Sequence, residues 1–145
     1  MLLNQNKTHI DKKTIDTQWY IIDAKDKTLG RLSSKIAYIL KGKNSITYSP
    51  NQNKSIKIII INSKFIHVTG NKREQIIYKR HSGKPGSLKK ETFNKLQKRI
   101  PNRIIEQAIK GMLPKNTLGR KLFTQLKIYS NEIHPYQSQK PVILN

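Results

Sequence analysis

"WYIIDAKDKTLGRLSSKIAYILKG", Trp19 to Gly42, decides how the rest of the chain reads. Its first five residues are apolar or β-forming and end on Asp23, the pattern of a short buried strand. A helical period follows. Asp26 or Thr28 supplies a capping side chain, and Gly42 stands just past the last periodic residue. At 100° per residue Leu29, Leu32, Ile36, Ile39 and Leu40 share one arc, while Lys27, Arg31, Lys35 and Tyr38 share the opposite one. The apolar arc predicts packing; the other predicts a cationic surface. Downstream, "KIIIIN" (Lys57 to Asn62) is a continuous β-branched run, the mark of a central strand buried on both faces. Strand, helix and buried strand together predict a βαβ unit and an α/β fold.

Further along, "QIIYKR" (Gln75 to Arg80) predicts a third strand that hands over to a basic loop. "ETFNKLQKR" is weakly helical, with Phe93 and Leu96 as its apolar contacts. "NRIIEQAIKGML" is firmer, since Ile104, Ile105, Ala108, Ile109 and Met112 cluster on one side and Arg103 and Lys110 on the other. Pro114 stops it. "NTLGRKLFTQ" predicts one more short helix with Thr117 at its cap, and "LKIYS" a last strand. The expected organisation is an extended N-terminal arm over 1–17, one α/β domain over 18–130, and a tail over 131–145 extended across the surface.

Charge narrows the function. The 145 residues carry 29 Lys and Arg against 8 Asp and Glu, a formal charge of +21. Such a surplus repels itself, and a polyanionic partner relieves it. The acids are also unevenly spread. None occurs between Asp26 and Glu74, where ten Lys or Arg stand, nor between Glu106 and Glu132, where there are five. Solvated surfaces ordinarily mix signs; acid-free tracts predict a face that meets phosphate. "YKRHSGKPGSLKK" (Tyr78 to Lys90) condenses the pattern, with five cations, His81, two glycines and no carboxylate.

Other classes find little support. Without cysteine there is no disulfide framework or thiolate metal site. The four His lack ligand spacing, and His81 beside Ser82 is no catalytic dyad because adjacent side chains point apart. "GKPGSLKK" lacks Walker A spacing. No window has the length and apolarity of a membrane span or signal peptide, so an intracellular, soluble protein is expected. The sequons at Asn6 and Asn53 mean little without secretion. "TLGRL" at Thr28 and "TLGRKL" at Thr117 echo each other; Gly30 and Gly119 serve either close approach of phosphate or tight packing. Among the aromatics, Tyr78 and Tyr129 fit half-buried sheet positions, whereas His81 and Tyr136 are candidates for contact with bases.

Taken in order, "WYIIDA", "TLGRLSSKIAYILKGK", "YSP", "IIIINSKFIHVTGNK", "YKRHSGKPGSLK", "AIKGMLPKNTLGRKL" and "LKIYS…HPYQSQKP" resemble the bacterial-type L-thirteen family of large-subunit ribosomal proteins. The blocks run from Trp19 to Pro141. The resemblance implies a three-layer α/β/α domain around a four-stranded, mainly parallel sheet, bound to large-subunit ribosomal RNA and to neighbouring ribosomal proteins, and supporting subunit assembly and translation. It implies no catalysis, cofactor, metal, membrane or small-molecule substrate. By position it implies RNA contact at Arg80, His81, Gly83, Lys84 and Gly86, and at Lys110, Lys115, Asn116, Arg120 and Lys121. The cationic faces and loop add Arg31, Lys35, Lys89 and Arg103. Two stretches depart from the family pattern: "NQNKSIK" replaces acids after "YSP", and Tyr136 stands where a second His is common. Heavy use of Ile, Lys and Asn, residues with AT-rich codons, points to a plastid stroma, with the cytoplasm of an AT-rich bacterium as the alternative. A free regulatory RNA-binding protein is the competing function; it lacks a recognition helix, zinc knuckle or RNP motif.

Overall fold

The structure, a computed structural model, describes residues 17–144, so nearly all of the expected arm lies outside the described residues. The first strand, β1 (Gln18–Asp23), leads into helix α1 (Leu29–Leu40) and then strand β2 (Ile56–Ile61). β1 and β2 pair in parallel from Gln18↔Ile56 to Asp23↔Ile61, which completes the βαβ unit. β2 is central: β5 (Leu126–Ile128) pairs with its other edge, again in parallel. Ile58, Ile59 and Ile60 are each 0% exposed, so the β-branched run is buried on both faces. Burying one such side chain contributes about 1.5–3 kcal/mol.

Period-two alternation sends Ile56, Ile58 and Ile60 into the main core, with Ile22 of β1 and Ala24 just beyond its end. Leu32, Ile36 and Leu40 of α1 meet them there. So do Ile105 and Ile109 of α4 (Asn102–Met112) and Leu122 of α5 (Thr117–Thr124). Ser33 and Ala37, one turn apart, are also buried on α1, and that helix packs on α4. On the opposite face of the sheet the Lys57 ammonium lies 4.6 Å from the Trp19 ring centre. The fold is thus α/β, a four-stranded parallel sheet flanked by helices.

Its fourth strand comes from an unexpected place. The tail, read as an extended surface segment, returns as β6 (Val142–Ile143) and pairs in parallel with β1 through Tyr20↔Val142 and Ile21↔Ile143. β5 is therefore not the last strand. A second correction concerns the predicted third strand. β3 (Ile77–Arg80) forms but stays out of the main sheet, pairing antiparallel with β4 (Lys89–Thr92), which takes the last two residues of the basic loop and the first two of the segment read as helical. α2 (Lys72–Gln75) precedes this hairpin and α3 (Phe93–Arg99) follows it. A smaller core anchors the hairpin base: Phe93, Leu96, Ile104 and Val68 are buried together, with Ile76 and Tyr78 packed against them. The Phe93 N–H donates to the Ile76 carbonyl at 3.1 Å, closing the base.

Candidate nucleic-acid interface

The hairpin sets like charges opposite one another. Its register is Ile77↔Thr92, Tyr78↔Glu91, Lys79↔Lys90 and Arg80↔Lys89. The two pairs nearest the tip are cation on cation, an arrangement that costs stability in an isolated sheet. Because successive side chains alternate sides, Lys79 with Lys90 occupies one face and Arg80 with Lys89 the other. All four are exposed. Below them the charge is balanced: Arg99 forks onto Glu91, Nε to Oε1 at 3.0 Å and Nη2 to Oε2 at 2.6 Å. That donation, aided by the positive charge of Arg99 and Lys95, holds the Glu91 carboxyl below its ordinary range. Tyr78 sits beside Phe93, ring centres 6.5 Å apart, and burial pushes its phenol upward. The strand thus changes character within two residues, from packed to cationic.

Between the strands the loop is held by its own small groups. Ser87 N–H donates to the Lys84 carbonyl at 3.2 Å, with Pro85 and then Gly86 between them. Proline followed by a positive φ, here +75° at Gly86, makes this a type II turn. The Ser87 hydroxyl also donates to the Lys84 carbonyl, at 2.7 Å, and accepts from Ser82 at 2.8 Å. Gly83 has φ +95°, and its N–H donates to Nδ1 of His81 at 2.9 Å. One edge of His81 therefore organises the loop. A Cβ placed on Gly83 or Gly86 would meet nothing within 4 Å. Their conformation demands glycine; the space around them is empty.

The second group of predicted residues assembles where α4 gives way to α5. Lys110, Lys115 and Arg120 line a groove of about 380 Å³ whose apolar surface comes from Leu113, Pro114 and Phe123. The junction is tight by construction. Asn116, not Thr117, caps α5, its Oδ1 accepting from the Gly119 N–H at 2.8 Å. A Cβ on Gly119 would lie 1.8 Å from the Pro114 carbonyl oxygen, whereas one on Gly30 would touch nothing. The two halves of the sequence echo therefore part company. Gly119 is a packing glycine; Gly30 leaves the first turn of α1 open.

The other predicted residues are more scattered. Arg31 and Lys35 are exposed on α1 and Lys121 is exposed on α5. Arg103 and Lys110 are both exposed on α4, away from its buried isoleucines, but Arg103 approaches Glu106 at 3.4 Å. The Asn116 carbonyl oxygen is committed to the cap. Tyr136, a candidate for contact with bases, packs against Trp19 with ring centres 5.0 Å apart and planes tilted by 34°, and lies 6.4 Å from Tyr129, within an aromatic cluster of the fold. Burial raises the Tyr129 phenol, with Tyr136 adding to the effect. In the departing stretch, Lys54 donates to Ser45 and, at 2.9 Å, to Thr47, which ties it into the loop before β2. Sequence reasoning also missed Asn102. Its side chain joins α4 to the Ile128 carbonyl at 3.1 Å and to Ser63 and Ser130, a structural role rather than a binding one.

Among the described residues there is no group of three potential metal ligands and no helix long and apolar enough to cross a membrane. A family model described as "Ribosomal protein L13" matches residues 17–135. The chain belongs to that family. Its relatives include "Large ribosomal subunit protein uL13" of Microcystis aeruginosa, 54% identical over 140 residues that cover 96% of this chain and 93% of the relative. Another is "Large ribosomal subunit protein uL13c" of Gracilaria tenuistipitata var. liui, 58% identical over 139 residues, 96% of this chain and 97% of the relative. The protein of the same name from Pyropia yezoensis is 55% identical over 136 residues, 94% and 96% of the two chains. Membership makes the chain a structural protein of the ribosome and not an enzyme.

Proposed function

We propose that the chain is a constituent of the large ribosomal subunit that binds large-subunit ribosomal RNA and supports subunit assembly, working beside neighbouring ribosomal proteins. One observation carries the RNA reading: the facing cations Lys79↔Lys90 and Arg80↔Lys89. Alone they repel each other; among phosphates each becomes a favourable contact. Lys84 and the turn glycines extend that surface to the tip, while Lys110, Lys115, Arg120 and Lys121 form a second basic area. Arg31 and Lys35 on α1 and Arg103 on α4 are the outlying contributors. The free edges of His81 and Asn116 are then available to RNA, each residue keeping one atom for the protein's own structure.

The uL13c relatives of Gracilaria tenuistipitata var. liui and Pyropia yezoensis and the Ile, Lys and Asn usage favour a plastid stroma, with a bacterial cytoplasm as the alternative. Sucrose-gradient sedimentation of a native extract tests the assignment. The chain should travel with large subunits and leave them as salt rises, since each neutralised phosphate contributes roughly 0.7–0.9 to the log–log slope. A chain found wholly in the light fractions at low salt would favour a free regulatory RNA-binding protein instead.

A further inference from the structure

The groove at the junction of α4 and α5 has features that a phosphate-binding patch does not require. Phosphate recognition is satisfied by cations on an open surface; it needs no concavity and no apolar floor. Here Leu113, Pro114 and Phe123 form such a floor, and Lys110, Lys115 and Arg120 stand on the same lining. Leu113 is buried, while Phe123 is half-buried, packed against the main core and also lining the groove. The space, about 380 Å³, falls within the roughly 300–1,000 Å³ range of small-ligand sites. No carboxylate is among the lining residues, and none occurs in the chain between Glu106 and Glu132. An apolar surface with only positive charge beside it complements one kind of occupant: a flat, hydrophobic ring joined to a phosphate.

We propose that this groove seats a single unstacked nucleotide of the bound RNA, its base against Phe123 and its phosphates among Lys110, Lys115 and Arg120. The proposal rests on the RNA-binding reading above. Side chains recognise folded RNA largely through unpaired, splayed bases, which stack on aromatic or guanidinium planes; Phe123 and Arg120 provide one of each on the same lining. The groove's shape is also fixed before any ligand arrives. Asn116 locks the start of α5, and Gly119 lets that helix close onto the Pro114 carbonyl. Little ordering is left for binding to accomplish.

The test uses the full chain and deproteinised large-subunit rRNA of its own organism. Two variants alter the groove without touching its cations. Phe123→Ala removes the stacking surface, and Thr124→Trp, at an exposed position on the lining, fills the space while leaving the core intact. Affinity is measured across salt concentrations, base accessibility is mapped by chemical probing, and thermal unfolding checks the fold. Wild type should protect the base-pairing edge of one unpaired nucleotide. Thr124→Trp should release that protection and weaken binding about 5- to 150-fold, the loss of one base stack, with the salt slope unchanged. Equal affinity and unchanged base protection in a folded Thr124→Trp would overturn the proposal. So would normal RNA binding combined with failed incorporation into subunits, which would assign the groove to a neighbouring protein. If wild type itself shows no binding to the rRNA, the RNA-binding reading has failed, and the seated nucleotide falls with it.

Discussion

Reversing the charge of one hairpin strand should stabilise the free protein while weakening its hold on RNA. The double substitution Lys89→Glu and Lys90→Glu converts Arg80↔Lys89 and Lys79↔Lys90 from repelling to attracting pairs. Opposite-charge cross-strand pairs are worth about 0.2–1 kcal/mol and like-charge pairs cost a similar amount, a swing of about 0.4–2 kcal/mol per pair. All four side chains are exposed, so solvent screening favours the low end. Two pairs then give about 1–2 kcal/mol, or roughly 5- to 30-fold in the opening constant of the hairpin. Native-state hydrogen exchange of the hairpin amides reads this directly and is preferable to global melting, because local opening need not involve the main core. Adding salt should narrow the gap between variant and wild type as it screens both kinds of pair. RNA affinity should move the opposite way, with the log–log salt slope smaller by about 1.4–1.8 for two lost phosphate contacts. Faster exchange in the variant, or an unchanged salt slope, would refute the view that these cations are kept for a polyanion at the expense of the hairpin.

Gly86 separates backbone shape from bulk. Gly86→Asn tolerates the +75° φ and meets nothing within 4 Å in the free protein, so impaired incorporation into subunits would locate the added atoms against RNA, and normal incorporation would remove that contact. Gly86→Val, disfavoured at positive φ, should also disturb the turn itself, visible in the amide shifts of Lys84 to Ser87. The sequence echo predicts opposite outcomes. Gly30→Ala, unobstructed within its helix, should raise stability by up to about 1 kcal/mol, whereas Gly119→Ala should lower it by about 1–3 kcal/mol through overpacking against Pro114; chemical denaturation distinguishes them. Ile105→Asp puts a carboxylate at a 0% exposed position, which should cost more than about 3 kcal/mol and abolish cooperative thermal unfolding.

Where local pattern and tertiary context agreed, the fold was legible. Ile58 to Ile60 of β2, Leu32, Ile36, Ile39 and Leu40 of α1, and Ile104, Ile105 and Ile109 of α4 are buried as their periodicity nominates, whereas Leu29 and Ala108 are only partly covered and Met112, at the end of its helix, is exposed. The hairpin was half legible. β3 has Ile77 and Tyr78 to announce it, but "KKET" in β4 begins with two lysines, a residue depleted in strands, and only the pairing with β3 makes it one. β6 was hidden for another reason. Two residues, Val142 and Ile143, carry no period, and their partner lies at the other end of the chain. The cap of α5 was misplaced by a single residue, since Asn116 and Thr117 are both capping residue types and only the bond to Gly119 chooses between them. The cationic loop and the Lys110 to Arg120 block were visible as composition. What composition does not encode is which charges face each other, which enclose a groove, and which, like Lys54, are turned inward.

The late return of β6 also imposes an order in time. Tyr20 and Ile21 emerge early from a translating ribosome, yet the strand that covers their edge follows about 120 residues later, some 6–24 s at about 5–20 residues per second. Until then the nascent sheet presents an open edge able to pair with another chain. The closing residues act as a latch, and any event that delays them prolongs the interval in which a newborn chain can be captured by its neighbours.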